Sequence, residues 1–343
     1  MSLRHIFTHQ VSGVGGELKD KRFQMKDIIT PISREEIYAE LTPEKLLRTT
    51  NKGGNEIYII TAHDSPAIMH ELGRLREITF RNAGGGTGKE TDIDSYDTAE
   101  NPYKQLIVWD PDAKEILGGY RYVLCADAPR DKNGDIKLAT SRVFHFSKEF
   151  EENYLPYTLE LGRSFVQPAY QSSKAGAKAL FALDNLWDGL GALTVDHPEI
   201  KYFFGKITMY EHFHNEARNL IQYFFKKYFR DKDDLVYPFN PVEFNIDIPA
   251  MEKLFVGPGY KEDYKTLVQN VRIYGENIPP LVNAYMNLSP SMKTFGTIKN
   301  EVFGNVLETG IILTIKDIYE VKVDRHIETY IKGKEDDEWP TPE

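Results

Sequence analysis

Apolar positions along the chain alternate between two spacings. Glu56–Thr61 is a short β-branched run, whereas Ile68, Leu72, Leu75 and Phe80 within 63–80 recur at helical intervals. Gln105–Asp110 and Gly118–Ala126 read as paired strands turning at Pro111-Asp112, and 127–156 as a loop with one short helix near Ser147–Asn153. A strand over Leu159–Val166, a helix over Lys174–Leu193, a strand over Lys201–Met209 and a helix over His212–Phe229 follow. The order β-α-β-β-(α)-β-α-β-α predicts a mixed α/β fold with one core across 55–230. Around it, Ser33-Arg34-Glu35-Glu36 and Thr42-Pro43-Glu44 carry helix-start patterns in a polar stretch. Tyr237–Pro258 reads as a proline-rich loop, Ile278–Leu288 as a short helix and Gly310–Tyr319 as a last strand. The chain divides as an extension over 1–50, a core over 51–235, a second extension packed on it over 236–332, and a charged tail over 333–343 expected to be disordered.

Composition narrows the function classes. A net charge of −10 over 343 residues argues against a nucleic-acid binder, which needs a basic face. The single cysteine, Cys125, excludes an intramolecular disulfide and reads as a buried, inert thiol. His212 and His214 have no third ligand nearby, so no metal is expected. No apolar run reaches the length of a spanning helix and no signal peptide opens the chain, so a cytoplasmic protein is expected.

The strongest chemistry lies in 159–180. A strand enters, Pro168 and a turn follow, and a helix leaves among small residues. Unpaired N–H groups at such a helix start, with the positive end of the macrodipole behind them, suit a phosphate. Val166, Pro168, Tyr170, Gln171, Gly176 and Leu180 stand where the motif V-x-P-x-Y-[RQ]-x-x-G-x-G-x-x-L-L has its fixed positions. The segment therefore resembles the donor-binding motif of GNAT acyltransferases. That resemblance implies the GNAT fold: a mixed, mostly antiparallel central sheet flanked by helices. Lys174 replaces the first glycine of the motif, which suits a single phosphate better than a pyrophosphate. Asn215, opening the helix after the next strand, is a second and weaker echo.

An ordered series of charges accompanies it: Arg76-x-x-x-Phe80, Asp94-x-Tyr96-Asp97, Arg121, and Glu160-Leu-Gly-Arg163. Singly, each has a bland reading as a solvated helix face, a turn or a buried ion pair. In this order they resemble acyl-homoserine-lactone synthases and, more closely, the ornithine-lipid N-acyltransferases filed as hemolysin-like. Glu160–Val166 matches E-L-G-R-S-x-V of the latter, and Pro279–Tyr285 matches P-P-L-x-x-x-Y. A D-x-x-F element appears as Asn300-Glu-Val-Phe303, with an amide in place of the acid.

The resemblance implies N-acyl transfer of a fatty chain, with or without a 3-hydroxyl, from acyl carrier protein to the α-amine of ornithine or glycine in aminolipid synthesis. The donor is then an acyl-phosphopantetheine, with coenzyme A as the alternative carrier, and no cofactor is tightly bound. Glu160 is expected as the base, with Arg163 beside it. Asp94 and Asp97 would hold the acceptor ammonium or order their loop, and Arg76, Arg121 and Arg163 its carboxylate, with Phe80 lining the site. Backbone N–H groups of Ser164, Phe165 and Val166 would polarise the thioester. Gln171, Lys174, Gly176, Ala177 and Asn215 would bind the donor arm. Lys174, Lys178 and Lys226-Lys227 are candidate landing sites for the acidic carrier protein. A peripheral contact with the inner membrane face is left open.

Gly84–Lys89 imitates a phosphate-binding loop, but Ala83 leads it, Glu90 stands where Ser or Thr should bind Mg²⁺, and a helix precedes it. It reads instead as a mobile loop covering the acceptor. An acyl-CoA transferase on another amine, a lactone-forming synthase and, least favoured, a non-catalytic hemolysin-like module are the rival readings.

Overall fold

The computed structural model describes residues 25–171 and 176–331, with backbone alone for 176–180. The expectations for Lys174 and for the tail over 333–343 therefore lie outside the described residues. Along the chain the elements are α1 (Arg34–Glu40), β1 (Leu46–Thr49), β2 (Glu56–Ile60), α2 (Pro66–Asn82), α3 (Ser95–Thr98), β3 (Lys104–Asp110), β4 (Glu115–Leu124), β5 (Phe144–Phe146), α4 (Lys148–Asn153) and β6 (Thr158–Val166). There follow α5 (Gly176–Asp196), β7 (Tyr202–Met209), α6 (Asn215–Tyr228), β8 (Val236–Pro238), α7 (Ile248–Leu254), α8 (Tyr260–Ile273), α9 (Pro280–Met286), β9 (Lys293–Asn300), β10 (Val306–Thr314) and α10 (Glu320–Val323).

Among the described residues, eight strands form one sheet in the order β1-β2-β3-β4-β6-β7-β10-β9, while β5 and β8 pair separately. Every neighbouring pair in the large sheet is antiparallel except β6 and β7, which α5 joins in parallel. This is the mostly antiparallel, helix-flanked sheet of the GNAT fold. The division at 50 and 235 does not hold. β1 precedes residue 50 and β9 and β10 follow residue 235, yet all three are strands of the central sheet. Sheet pairing cannot be read from local pattern alone, and the offset strand expected at 310–319 hid it.

Side chains alternate across each strand, and the two faces are covered differently. On one face α5, α6, α8 and α9 pack Leu186, Leu190, Ile221, Phe224, Leu267 and Val282 against Leu106, Leu159, Phe203 and Ile311. Each such fully buried Leu or Phe contributes about 1.5–3 kcal/mol. The opposite face is covered in two patches. α2 lays Ile68, Leu72 and Phe80 over Ile107, Trp109 and Phe165. The segment 136–155 lays Leu138, Phe144 and Phe150 over Val123, Phe204 and Ile312. Between the patches the sheet is left to polar residues. Cys125 is buried in the second patch, and burial pushes its thiol well up.

Two irregularities open the sheet. Parallel pairing of β6 with β7 ends at Leu161↔Gly205, although β6 runs on to Val166 and β7 to Met209, so the strands splay. A bulge interrupts the β4–β6 ladder between Gly119 and Arg121, and Arg163 takes φ 51°. A left-handed non-glycine residue costs roughly 1–3 kcal/mol and persists only where its surroundings hold it. Gly118 makes room for the bulge, since a Cβ there would stand 2.3 Å from the Phe165 carbonyl oxygen. Gly118→Ala is expected to lose about 1–3 kcal/mol, read as a lower urea midpoint at constant slope. An unchanged midpoint would show that the bulge yields freely.

Candidate active site

The bulge turns Arg163 onto the face that also carries Arg121 and Glu160. The loop after α2 meets it there. Asp94 caps α3, and Asp97 accepts from the Asp94 N–H in a capping box. Arg121 Nη1 reaches Asp94 Oδ1 at 2.8 Å and Asp97 Oδ2 at 3.2 Å. Arg76 Nη1 lies 3.5 Å from Asp97 Oδ1, and Arg76 also donates to Gln105, whose amide donates back to Asp97 at 3.0 Å. Arg163 Nε donates to Asp92 Oδ2 at 2.6 Å, with its guanidinium 4.4 Å over the Phe303 ring. Three arginines thus meet three aspartates. Burial alone would raise the Asp97 carboxyl, but Arg121 and then Arg76 outweigh it and hold it at about 2. Burial likewise works against the Arg121 charge, and Asp97, Asp94 and Asp92 override it.

Glu160 is almost wholly buried. Its Oε1 accepts from Thr140 N at 2.8 Å and Thr140 Oγ1 at 2.5 Å, and its Oε2 from the Tyr103 hydroxyl. Ala139 N donates to the Tyr103 oxygen at 3.0 Å, which fixes that hydroxyl proton towards Glu160. Burial, and then the Glu160 charge, push the Tyr103 hydroxyl far up, so it stays a donor. A carboxylate has about four acceptor positions; donors among the described residues fill three.

A cavity of about 920 Å³ runs through the β6/β7 splay, with walls on both faces of the sheet. On the polar face it is bounded by Asp94, Arg121, Arg142, Glu160, Arg163 and the pair Lys206–Glu308, whose Nζ and Oε2 are 2.7 Å apart. On the other face Tyr170, Leu183, Leu281, Tyr285, Ile311 and Leu313 give an apolar wall. Ser164, Phe165, Val166 and Gln171 lie along the passage, where the β7-facing edge of β6 has no ladder partner among the described residues. Tyr120 and Tyr285 bring their hydroxyls to 3.3 Å of each other. Burial pushes both hydroxyls up.

Several expected residues are placed otherwise. Arg76 and Asp97 are fully buried behind the cavity wall, so direct contact with an acceptor gives way to bracing of Arg121. Asn215 does not line the cavity; its Oδ1 accepts from Arg218 at 2.9 Å within α6. The Gln171 amide is spent on the Val166 carbonyl at 2.6 Å. Lys227 is held by Asp263 at 2.6 Å. Gly176 and Ala177 open α5, where only backbone is described. The 84–88 loop borders the cavity but is latched: the buried Glu77 accepts from Thr87 N at 3.0 Å, Thr87 Oγ1 at 2.7 Å and Gly88 N at 2.7 Å. A buried carboxylate needs such donors, which replaces the expectation of a mobile cover.

Sequence reasoning passed over Tyr103, Thr140, Arg142, Lys206 and Glu308. Lys206 was legible as a polar position alternating with Phe203, Gly205 and Ile207, and Glu308 as the lone charge in the run Val306–Thr314. Arg142, on a loop, left no such mark. Among the described residues no group of His, Cys, Asp and Glu could hold a metal ion, and no helix is long and apolar enough to cross a membrane.

Residues 75–180 match the family model of the acetyltransferase (GNAT) domain. A glycine N(alpha)-acyltransferase of Phocaeicola vulgatus is 58% identical over 90% of this chain and 94% of its own. Another, from Bacteroides thetaiotaomicron, is 56% identical over 91% and 93%. A CoA-dependent acyl-homoserine lactone synthase, solved with S-adenosylmethionine and isopentyl-CoA, is 12% identical over 81% of this chain and 90% of its own, with a TM-score of 0.34. The chain is an acyltransferase with a GNAT domain, and it belongs to the family of these two glycine N(alpha)-acyltransferases.

Proposed function

We propose that the protein transfers a fatty acyl chain from a phosphopantetheine thioester to the α-amine of glycine, as a step in aminolipid synthesis. The observation that carries this is the cavity through the splay, polar and carboxylate-bearing on one face and apolar on the other. A thioester carbonyl held in the passage sits between an acyl or pantetheine arm and an amino acid. The open edge of β6 can take the arm's amides as an added strand would be taken. Of the two acceptors that the sequence suggested, glycine is supported by the names of the relatives.

In the reaction the amine nitrogen attacks the thioester carbon, the C–N bond forms, the C–S bond breaks, and one proton passes from nitrogen to sulfur. Glu160, with its one open acceptor position, receives the amine proton directly or through a water. N–H groups of Ser164–Val166 face the oxyanion. Tyr120 and Tyr285, kept protonated by burial, can hydrogen-bond the departing sulfur, which takes its proton from solvent as Glu160 returns the amine proton to solvent. The Arg121 and Arg163 charges are already matched by aspartates. Arg142, exposed on the wall and without a carboxylate partner among the described residues, is therefore the better fork for the acceptor carboxylate.

Carrier protein is favoured over coenzyme A as donor by Lys174 in place of a motif glycine. Purified enzyme given glycine and matched acyl thioesters on carrier protein or coenzyme A should form N-acylglycine with both and turn over faster with the former. No N-acylglycine from either thioester would sink the function. Faster turnover with coenzyme A would overturn the donor assignment alone.

A further inference from the structure

The geometry points to the Lys206–Glu308 pair as the determinant of acceptor charge. Lys206 occupies the place on Glu308 that a cationic acceptor side chain would take, and so confines transfer to acceptors without one. This rests on the reading of the protein as an amino-acid N-acyltransferase.

Glu308 is a mid-strand carboxylate, 4% exposed, on β10. Its Oε2 accepts from Lys206 Nζ at 2.7 Å and from Asn300 Nδ2 at 3.0 Å. All three side chains line the cavity, and Glu308 Oε1 has no hydrogen bond among the described residues. The register sets the pair beside the reacting end. Phe204 pairs with Glu160, and Lys206, two residues on, shares that face of β7 and stands opposite Gly310. Thr208 and Glu308 pair next.

A carboxylate this buried requires a cation. Lys206 supplies it as a compact charge on a flexible stem, and Asn300 adds a donor without adding charge. A glycine acceptor carries no side chain and leaves the pair intact. An acceptor with a side-chain ammonium must place a second cation beside a carboxylate that is already matched. Without Lys206 the sign reverses: Glu308 is left unmatched, and a dibasic acceptor brings the missing charge.

The test measures kcat/KM for glycine, norvaline and ornithine with one acyl donor. Norvaline has the length of the ornithine side chain without its charge. In Lys206→Met the ornithine-to-glycine ratio should rise about 10-fold or more, with norvaline gaining much less. In Lys206→Met/Glu308→Gln that gain should vanish. Asn300→Asp adds a negative charge beside the same oxygen without deleting an ion pair, and should move the ratio the same way, which keeps the test open if Lys206→Met fails to fold. An unmoved ratio in these variants, or an equal gain for norvaline, would overturn the inference while glycine transfer by the wild type stands. Absence of transfer to any amino acid by the wild type would instead count against the proposed function.

Discussion

Glu160→Gln is expected to slow acyl transfer by roughly 10²–10⁴-fold, the usual worth of a positioned base, while the protein stays folded. The amide keeps the shape of the carboxylate and one acceptor oxygen. That oxygen can retain both Thr140 donors, and the Tyr103 hydroxyl, now facing an NH₂ group, can turn to accept from it. What is lost is the ability to take a proton from the amine. The deficit should therefore shrink at alkaline pH, where the amine sheds its proton unaided. Single-turnover rates on preloaded donor, measured across pH beside a melting curve, check both points. A rate within a few-fold of wild type at neutral pH would remove Glu160 from the chemistry. A lowered melting point with a uniform deficit at every pH would make it structural.

Asp97→Asn should be the most damaging single change to stability, at about 3–5 kcal/mol, because it strips a buried ion pair of one partner. Arg76 is fully buried and already lacks hydrogen bonds at Nε and Nη1. Without Asp97, Arg76 keeps the Gln105 hydrogen bond and Arg121 its ion pair with Asp94, and Asp92 is the remaining carboxylate whose charge reaches both. The pH dependence follows from the depressed carboxyl. Ordinary Asp titrates near 3.8 and Asp97 at about 2, so its contribution is complete above 3.8 and is lost as pH falls through about 2. Wild-type stability should drop over that interval, and the variant's should be flatter there. Urea midpoints taken from pH 5 downwards decide it. A variant of wild-type stability, or one with the same acid slope, would show that the arginines are matched elsewhere.

The strand β6, the helix α5 and the individual charged positions were legible because each leaves a mark in its own neighbours. Pro168, which has no N–H to give a ladder, marks the end of the strand, and buried carboxylates stand out among apolar neighbours. Glu160, Arg121 and Arg163 line one cavity. Whether a charge faces the cavity or braces a neighbour depends on packing depth, which spacing does not encode; Arg76 and Asp97 carry the same pattern as Arg121 and Asp94, yet lie behind the wall. β9 and α8 were passed over. β9 (KTFGTIKN) is broken by Gly296 at φ 90°, and α8 carries polar residues around a stripe whose buried apolar members are Leu267 and Val271. Long-range pairing, which puts β10 beside β7, leaves no mark in either segment.

That pairing has a consequence for how the chain matures on the ribosome. β7 is made early, but the strand that covers its far edge begins only at Val306. At about 5–20 residues per second, the edge waits roughly 5–20 s for its partner. During that time Phe203, Ile207 and Met209 belong to an open edge of the kind that recruits other chains. Truncated transcripts ending before β10 should therefore yield aggregates rather than a smaller working enzyme, and chaperone capture should peak while that edge stands alone.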